Sequence, residues 1–129
     1  MMTVTTATPT FGRPRLDVGQ AFKGGWNAFT ADVVPLLVGT LIAIASRRYN
    51  VSAAGLAHMM KLESNGQRHA DSGPYHGLFQ FMDREWAMSW NEWRDHSIYD
   101  GWSQIQLAAK CISRGMGPSI WPLTYRMSF

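Results

Sequence analysis

Apolar and polar positions change period several times along the chain, and each change marks a predicted element. Residues 1–15 (MMTVTTATPTFGRPR) follow neither a helical nor a strand period and hold two prolines, which predicts an extended arm. Residues 16–32 carry a weak helical pattern that Gly24-Gly25 interrupts. From Val33 to Ala45 the chain then runs thirteen residues without a charge, VVPLLVGTLIAIA. As a helix this run would reach about 20 Å at ~1.5 Å per residue, short of a ~30 Å hydrocarbon core. Lengthening it toward the N-terminus would bury Asp32 and Asn27. Two readings stay open here: a core helix that opens the domain, and a segment that contacts a membrane.

Beyond Arg47 the signals sharpen. Ser52 is a good N-cap, Val51 stands just before it, and Leu56 falls where it can close a hydrophobic staple, so a helix is predicted over Ala53–Ser64. Asn65-Gly66 stops it, since both residues tolerate the left-handed conformation of a helix end. A second helix is predicted from Asp83, as N-cap, to Arg94, because Met82, Trp86, Trp90 and Trp93 would share one face. A third covers Trp102–Ser113, with Ile105, Ala108, Ala109 and Ile112 on one stripe, and Gly115, Gly117 and Pro118 end it. Period-two alternation is not sustained anywhere and no repeat is visible. The expected class is mainly α, with residues 1–32 leading into one domain over 33–129.

Composition narrows the function more than the fold. At 129 residues the chain suits one hydrophobic core, and 46% hydrophobic with 16% charged residues is a globular balance. Five basic residues through residue 48 (Arg13, Arg15, Lys23, Arg47, Arg48) face only Asp17 and Asp32, which accounts for the whole net charge of +3. Seven basic and seven acidic residues cancel in the remainder. The positive charge is therefore local to the leading segment, and no basic stripe interleaved with aromatics argues for nucleic acid as a partner. His58, His69, His76 and His96 show no metal-ligand spacing, so no metal site is expected. The single Cys111 reads as a small buried hydrophobe on the third helix. The Trp86/Trp90/Trp93 stripe reads as core, whereas Trp102 and Trp121 are freer to stack on a ligand.

One polar residue breaks the pattern. Leu56, Met59, Met60 and Glu63 stand at i, i+3, i+4 and i+7, which puts a carboxylate on the core-facing stripe where a leucine is expected. Burial disfavours the ionised form and raises the pKa, and a carboxyl that keeps its proton near neutral pH can serve as a general acid. Solvation or ion pairing is the ordinary fate of such a glutamate. Its place at the helix C-terminus fits that fate poorly, because a negative charge there opposes the macrodipole.

The stretch from this glutamate onward resembles the lysozyme-like lytic transglycosylase family, which includes goose-type lysozymes and phage cell-wall enzymes. Glu63-Ser64 matches the family's Glu-Ser helix end, and Gly77-Leu78-Phe79-Gln80 matches its Gly-Leu-Met-Gln with Phe for Met. The lead-in ASRRYNVSAAGLAHMMK, the later YDGWSQIQLAAKCISRG and the closing GPSIWP are similar to the family's surrounding elements, so the likeness covers about residues 40–122. The resemblance implies a lysozyme-like helical domain, with Glu63 as catalytic acid and base. Ser64, Ser72, His76, Gly77 and Gln80 would bind substrate, Gln80 by lining the sugar cleft and Gly77 by letting backbone approach it. The family's Ala-Tyr-Asn-Ala-Gly motif is missing; Gly115-Met116-Gly117-Pro118 stands in its region, and Tyr125 is a substitute for its tyrosine.

The resemblance further implies cleavage of the MurNAc–GlcNAc bond of peptidoglycan without a cofactor. Hydrolysis would need a second carboxylate, for which Asp71, in the loop, is a better candidate than Asp83 or Glu85. A transglycosylase would instead use the substrate's N-acetyl group and 6-hydroxyl. Peptidoglycan glycan strands are the expected partner, with other virion or tail proteins held through residues 1–32. A phage particle, or the host periplasm and cell wall, is the expected place of action. Ala43-Ile44-Ala45 has the form of a signal cleavage site, but the stretch before it is too long for an ordinary leader, so cytoplasmic synthesis without a clearly cleaved signal is expected. The alternative is a lysozyme-like structural component of a virion or secretion assembly, with weak or no activity.

Overall fold

The computed structural model describes residues 33–129, so the arm at 1–15 and the weak helix at 16–32 lie outside the described residues. The apolar run forms the first helix described, α1 (Val33–Tyr49), which continues past Ala45 through Arg47 and Arg48. Two cations in the last turn complement the negative end of the helix dipole. Asn50 then turns left-handed at φ 55°, and the Val51 N–H reaches back 3.0 Å to the Ser46 carbonyl. That bond satisfies a carbonyl the helix leaves open. Val38, Leu41, Ile42 and Ala45 are buried on one face. Among the described residues no helix is long and apolar enough to cross a membrane.

Helix α2 (Ala53–Ser64) has the predicted boundaries. Ser52 Oγ accepts from the Gly55 N–H at 3.0 Å, and Asn65 closes the other end at φ 54°. Leu56 and Met59 are fully buried. Three strands follow, β1 (Asp71–Ser72), β2 (Tyr75–His76) and β3 (Phe81–Met82), in one antiparallel sheet of order β1-β2-β3. Each has two residues, too few for an alternating pattern to be visible in sequence. Gly73, at φ 60°, and Pro74 make the turn that joins β1 to β2.

The second predicted helix is cut short. Helix α3 spans only Asp83–Trp86, and turns replace the stretch expected to reach Arg94. Asp83 is its first residue rather than its cap; the Glu85 carboxylate instead accepts from the Met82 N–H at 2.9 Å. Asn91 explains the early end. Its side chain, wholly buried, donates to the Trp86 carbonyl at 2.7 Å and accepts from the Trp93 N–H at 2.9 Å. A short amide side chain thus takes the place of the helical ladder. Trp86 and Trp93 still reach the core, as the sequence pattern asks, but by way of turns.

Helix α4 (Gly101–Ser113) matches its prediction to within a residue and is capped by Asp100, whose Oδ2 accepts from the Ser103 N–H at 3.1 Å. It is buried well beyond the expected stripe: Ser103, Gln104, Gln106 and Leu107 are inside together with Ile105, Ala108 and Ala109. Cys111 is buried, and desolvation pushes its thiol up to about 12, so it stays a protonated, inert packing group. After Gly115 (φ 76°) come two short helices, α5 (Gly117–Ile120) and α6 (Pro122–Ser128). Helix α6 packs on α2, with the Phe129 ring lying where a side chain at Gly55 would otherwise stand.

Gln104 is the residue on which the loop between α2 and α3 hangs. Its Oε1 accepts from the Phe79 N–H at 2.7 Å, and its Nε2 donates to the carbonyls of His76 at 2.9 Å and Ile98 at 2.5 Å. Removing it strands three backbone groups at a fully buried position. Gln104→Ala is expected to lower unfolding free energy by about 3 kcal/mol, read from urea denaturation, at the scale of buried polar groups left without partners. A loss under about 1 kcal/mol would show that the loop is held by other means.

Candidate active site

Glu63 sits in the last turn of α2, is half-buried, and lines an open cleft of about 310 Å³. One wall comes from the hairpin side: Ser72, Tyr75 and Gln80. The other is the α5–α6 junction, from Ile120 to Thr124. Among the described residues that line this cleft, Glu63 is the one carboxyl group.

Thr124 Oγ1 donates a short hydrogen bond to Glu63 Oε2. The environment pulls the carboxyl in two directions. Desolvation raises its pKa and dominates, while the Thr124 hydroxyl, which favours the ionised form, opposes it. The net shift is upward. The departure from periodicity seen in the sequence is thus a real physical departure: a carboxyl held partly out of water, with one neutral hydroxyl as partner.

The remaining sequence-derived candidates divide. Gln80 and Ser72 line the cleft with Glu63. Gln80 is also a brace, held at φ 54° with its Nε2 donating to the carbonyls of Gly77 at 2.8 Å and Ala70 at 3.0 Å. Gly77 has φ 85°, and a Cβ there would overlap the Gln104 amide, so the space its missing side chain leaves is filled from within. Ser64 is buried; its hydroxyl donates to the Met60 carbonyl at 3.2 Å and accepts from the Gly66 N–H at 3.2 Å. Tyr125 stacks on Phe129 and packs over Gly117, while its neighbour Thr124 makes the contact to Glu63.

His76 and Asp71 are not among the cleft-lining residues. They join each other and Tyr99. Asp71 Oδ1 lies 2.6 Å from His76 Nδ1 and accepts from the Tyr99 hydroxyl at 2.7 Å. Those two hydrogen bonds, His76 first, lower the Asp71 pKa, and the same carboxylate raises that of Tyr99. Trp121 corrects the expectation of a freer indole: it is buried at 3% exposure, donating its Nε1–H to the Phe79 carbonyl at 2.7 Å. A separate polar hollow of about 490 Å³, lined by Arg68, His69, His96 and Tyr99, does not include Glu63.

Thr124 and Tyr75, both in the cleft lining, escaped the sequence reading. Thr124 lies sixty-one positions from Glu63, and no local signal joins them. Tyr75 follows Gly73-Pro74, a turn signal that could have announced a hairpin.

No family model matches the chain, and no curated protein and no solved structure matches it.

The upward shift of Glu63 has a signed consequence for stability. The unfolded chain loses this proton at lower pH than the folded one, so folding stability falls as pH rises through the window between the two values. Glu63→Gln removes that slope, and its stability relative to wild type is expected to improve from pH 4 to pH 7. Thr124→Val takes away the hydrogen bond that favours the anion, and the Glu63 carboxyl followed by NMR is expected to titrate still higher. A downward move in that variant would contradict the assigned balance.

Proposed function

We propose that the chain is a peptidoglycan-cleaving lytic transglycosylase with a lysozyme-like fold, in which Glu63 acts first as general acid and then as general base. The observation that carries this reading is a partly desolvated glutamate, with a raised pKa, in the lining of an open cleft. A helix-rich chain with a small antiparallel sheet beside the acid supports it, as do the Glu63-Ser64 and Gly77–Gln80 motifs.

The proposed reaction uses what the cleft offers. Glu63 donates its proton to the glycosidic oxygen as the bond to C1 of the muramic sugar breaks. The N-acetyl group of that sugar stabilises the developing positive charge at C1. The Glu63 carboxylate then takes the proton from the sugar's own 6-hydroxyl, whose oxygen bonds to C1 and closes a 1,6-anhydro ring. The proton count balances on Glu63, and no water is consumed.

Direct or inverting hydrolysis would use a second carboxyl within about 5–9.5 Å of the acid. The loop carboxylate, Asp71, is engaged by His76 and Tyr99 instead, which favours the substrate-assisted route. The small size of the chain, the leading segment at 1–15 and a closing GPSIWP similar to endings of phage enzymes support a particle-associated enzyme that opens the cell wall during genome delivery.

Incubation of the purified chain with peptidoglycan, followed by mass spectrometry, is expected to release anhydro-muramyl fragments. Glu63→Gln is expected to reduce release by about 10²–10⁴-fold, the range of a lost general acid. Reducing-end products would replace the transglycosylase with a hydrolase. No release by a folded wild-type chain would favour the structural role in a virion or secretion assembly.

A further inference from the structure

Tyr75 is an aromatic side chain with no evident structural duty. It is 41% exposed, lines the Glu63 cleft, and stands on the two-residue strand β2 directly after the Gly73-Pro74 turn. Among the described residues, neither a ring contact nor a side-chain hydrogen bond engages it. Single exposed aromatics are ordinary on a protein surface, but this one stands in the lining of the cleft that holds Glu63. Its position in the cleft wall supplies a reason for it.

The backbone under this ring is unusually well tied for so short a hairpin. Ser72 pairs with Tyr75 and Asp71 with His76 across β1 and β2, while Tyr75 pairs with Met82 across β2 and β3. The neighbouring pair is clasped by side chains: Asp71 to His76 at 2.6 Å, Asp71 to Tyr99 at 2.7 Å, and Tyr99 to His76 at 3.2 Å. On the far side the Gln104 amide holds the His76 carbonyl at 2.9 Å. Successive residues of a strand point to opposite faces, so a clasp on Asp71 and His76 presents Ser72 and Tyr75 to the other side. That other side is the cleft.

We infer that Tyr75 is a sugar-stacking platform, binding the apolar face of a β-1,4-linked N-acetylhexosamine unit in the Glu63 cleft, and that the Asp71–His76–Tyr99 clasp positions it. The inference rests on the glycan-cleaving function proposed above. A pyranose ring turns several C–H bonds toward one face, and these slightly positive hydrogens suit the negative face of an aromatic ring. The backbone that carries the ring is fixed before the sugar arrives, so only the two side-chain torsions of Tyr75 have to be ordered on binding. Ser72, beside it on the same wall, supplies a hydroxyl for the polar edge of the sugar.

The test is binding without turnover. Glu63→Gln serves as the background, and N-acetylglucosamine hexamer is titrated into it by calorimetry. Adding Tyr75→Ala is expected to weaken binding about tenfold, the equivalent of ~1.4 kcal/mol, while Tyr75→Phe is expected to stay within about twofold because the ring face remains. Tyr75 is exposed and lies outside the core cluster, and matching melting temperatures would verify that the alanine variant is folded. Equal affinity of the background and the alanine variant would overturn this inference alone and leave the proposed reaction standing. No hexamer binding by the background would overturn the inference, and release of anhydro-muramyl fragments by wild type separates that outcome from failure of the proposed function.

Discussion

A primary amide at the centre of the molecule sets the geometry of everything around the cleft. Gln104 is fully buried on α4, and its three hydrogen bonds go to backbone groups of His76, Phe79 and Ile98. A buried amide is tolerated only when its polar atoms are satisfied, and so the loop must come to it in one arrangement. Gly77 is the residue that allows the approach, with a positive φ and no Cβ to collide with the amide. Leu78 and Phe79 then enter the core, and the Phe79 carbonyl receives the Trp121 indole N–H at 2.7 Å. One side chain on α4 therefore fixes the loop that carries the cleft's first wall, and through Trp121 it also ties in the second.

The electrostatics of Glu63 follow from where those walls stand. Glu63 stands in the last turn of α2, at the negative end of the helix dipole, an unfavourable place for an anion. The α5–α6 junction lines the cleft beside it, burial raises its pKa, and the group that opposes the rise is a neutral hydroxyl from Thr124 rather than a cation. On balance the site disfavours the anion. Asp71 shows the opposite treatment: exposed, accepting two hydrogen bonds, and held in its ionised form. Two acids on either side of one short loop are pushed apart in pKa by their surroundings, a separation that suits distinct roles.

A division of labour runs through the hairpin. His76, Asp71 and Tyr99 bond to one another, and the Gln80 amide nitrogen and the Ser64 hydroxyl bond to backbone. Residues that the motif resemblance marks as substrate-binding are here tied into the loop and helix end, while Tyr75 and Thr124 present the chemistry of the cleft.

What the sequence determined by itself is local and periodic. The Ser52 cap, the Asn65-Gly66 stop, α2, α4 and the displaced carboxylate at position 63 all rest on signals within a few residues, and the structure has each of them. Only tertiary structure decided the rest, because the deciding contacts join distant positions. Asn91 ends α3 by competing for the Trp86 carbonyl, which a hydrophobic pattern cannot register. Two-residue strands are too short to carry a period and exist because Gln104, on another helix, holds the loop that contains them. Thr124 meets Glu63 across sixty-one positions, so the partner that tunes the acid emerges only once α6 packs against α2.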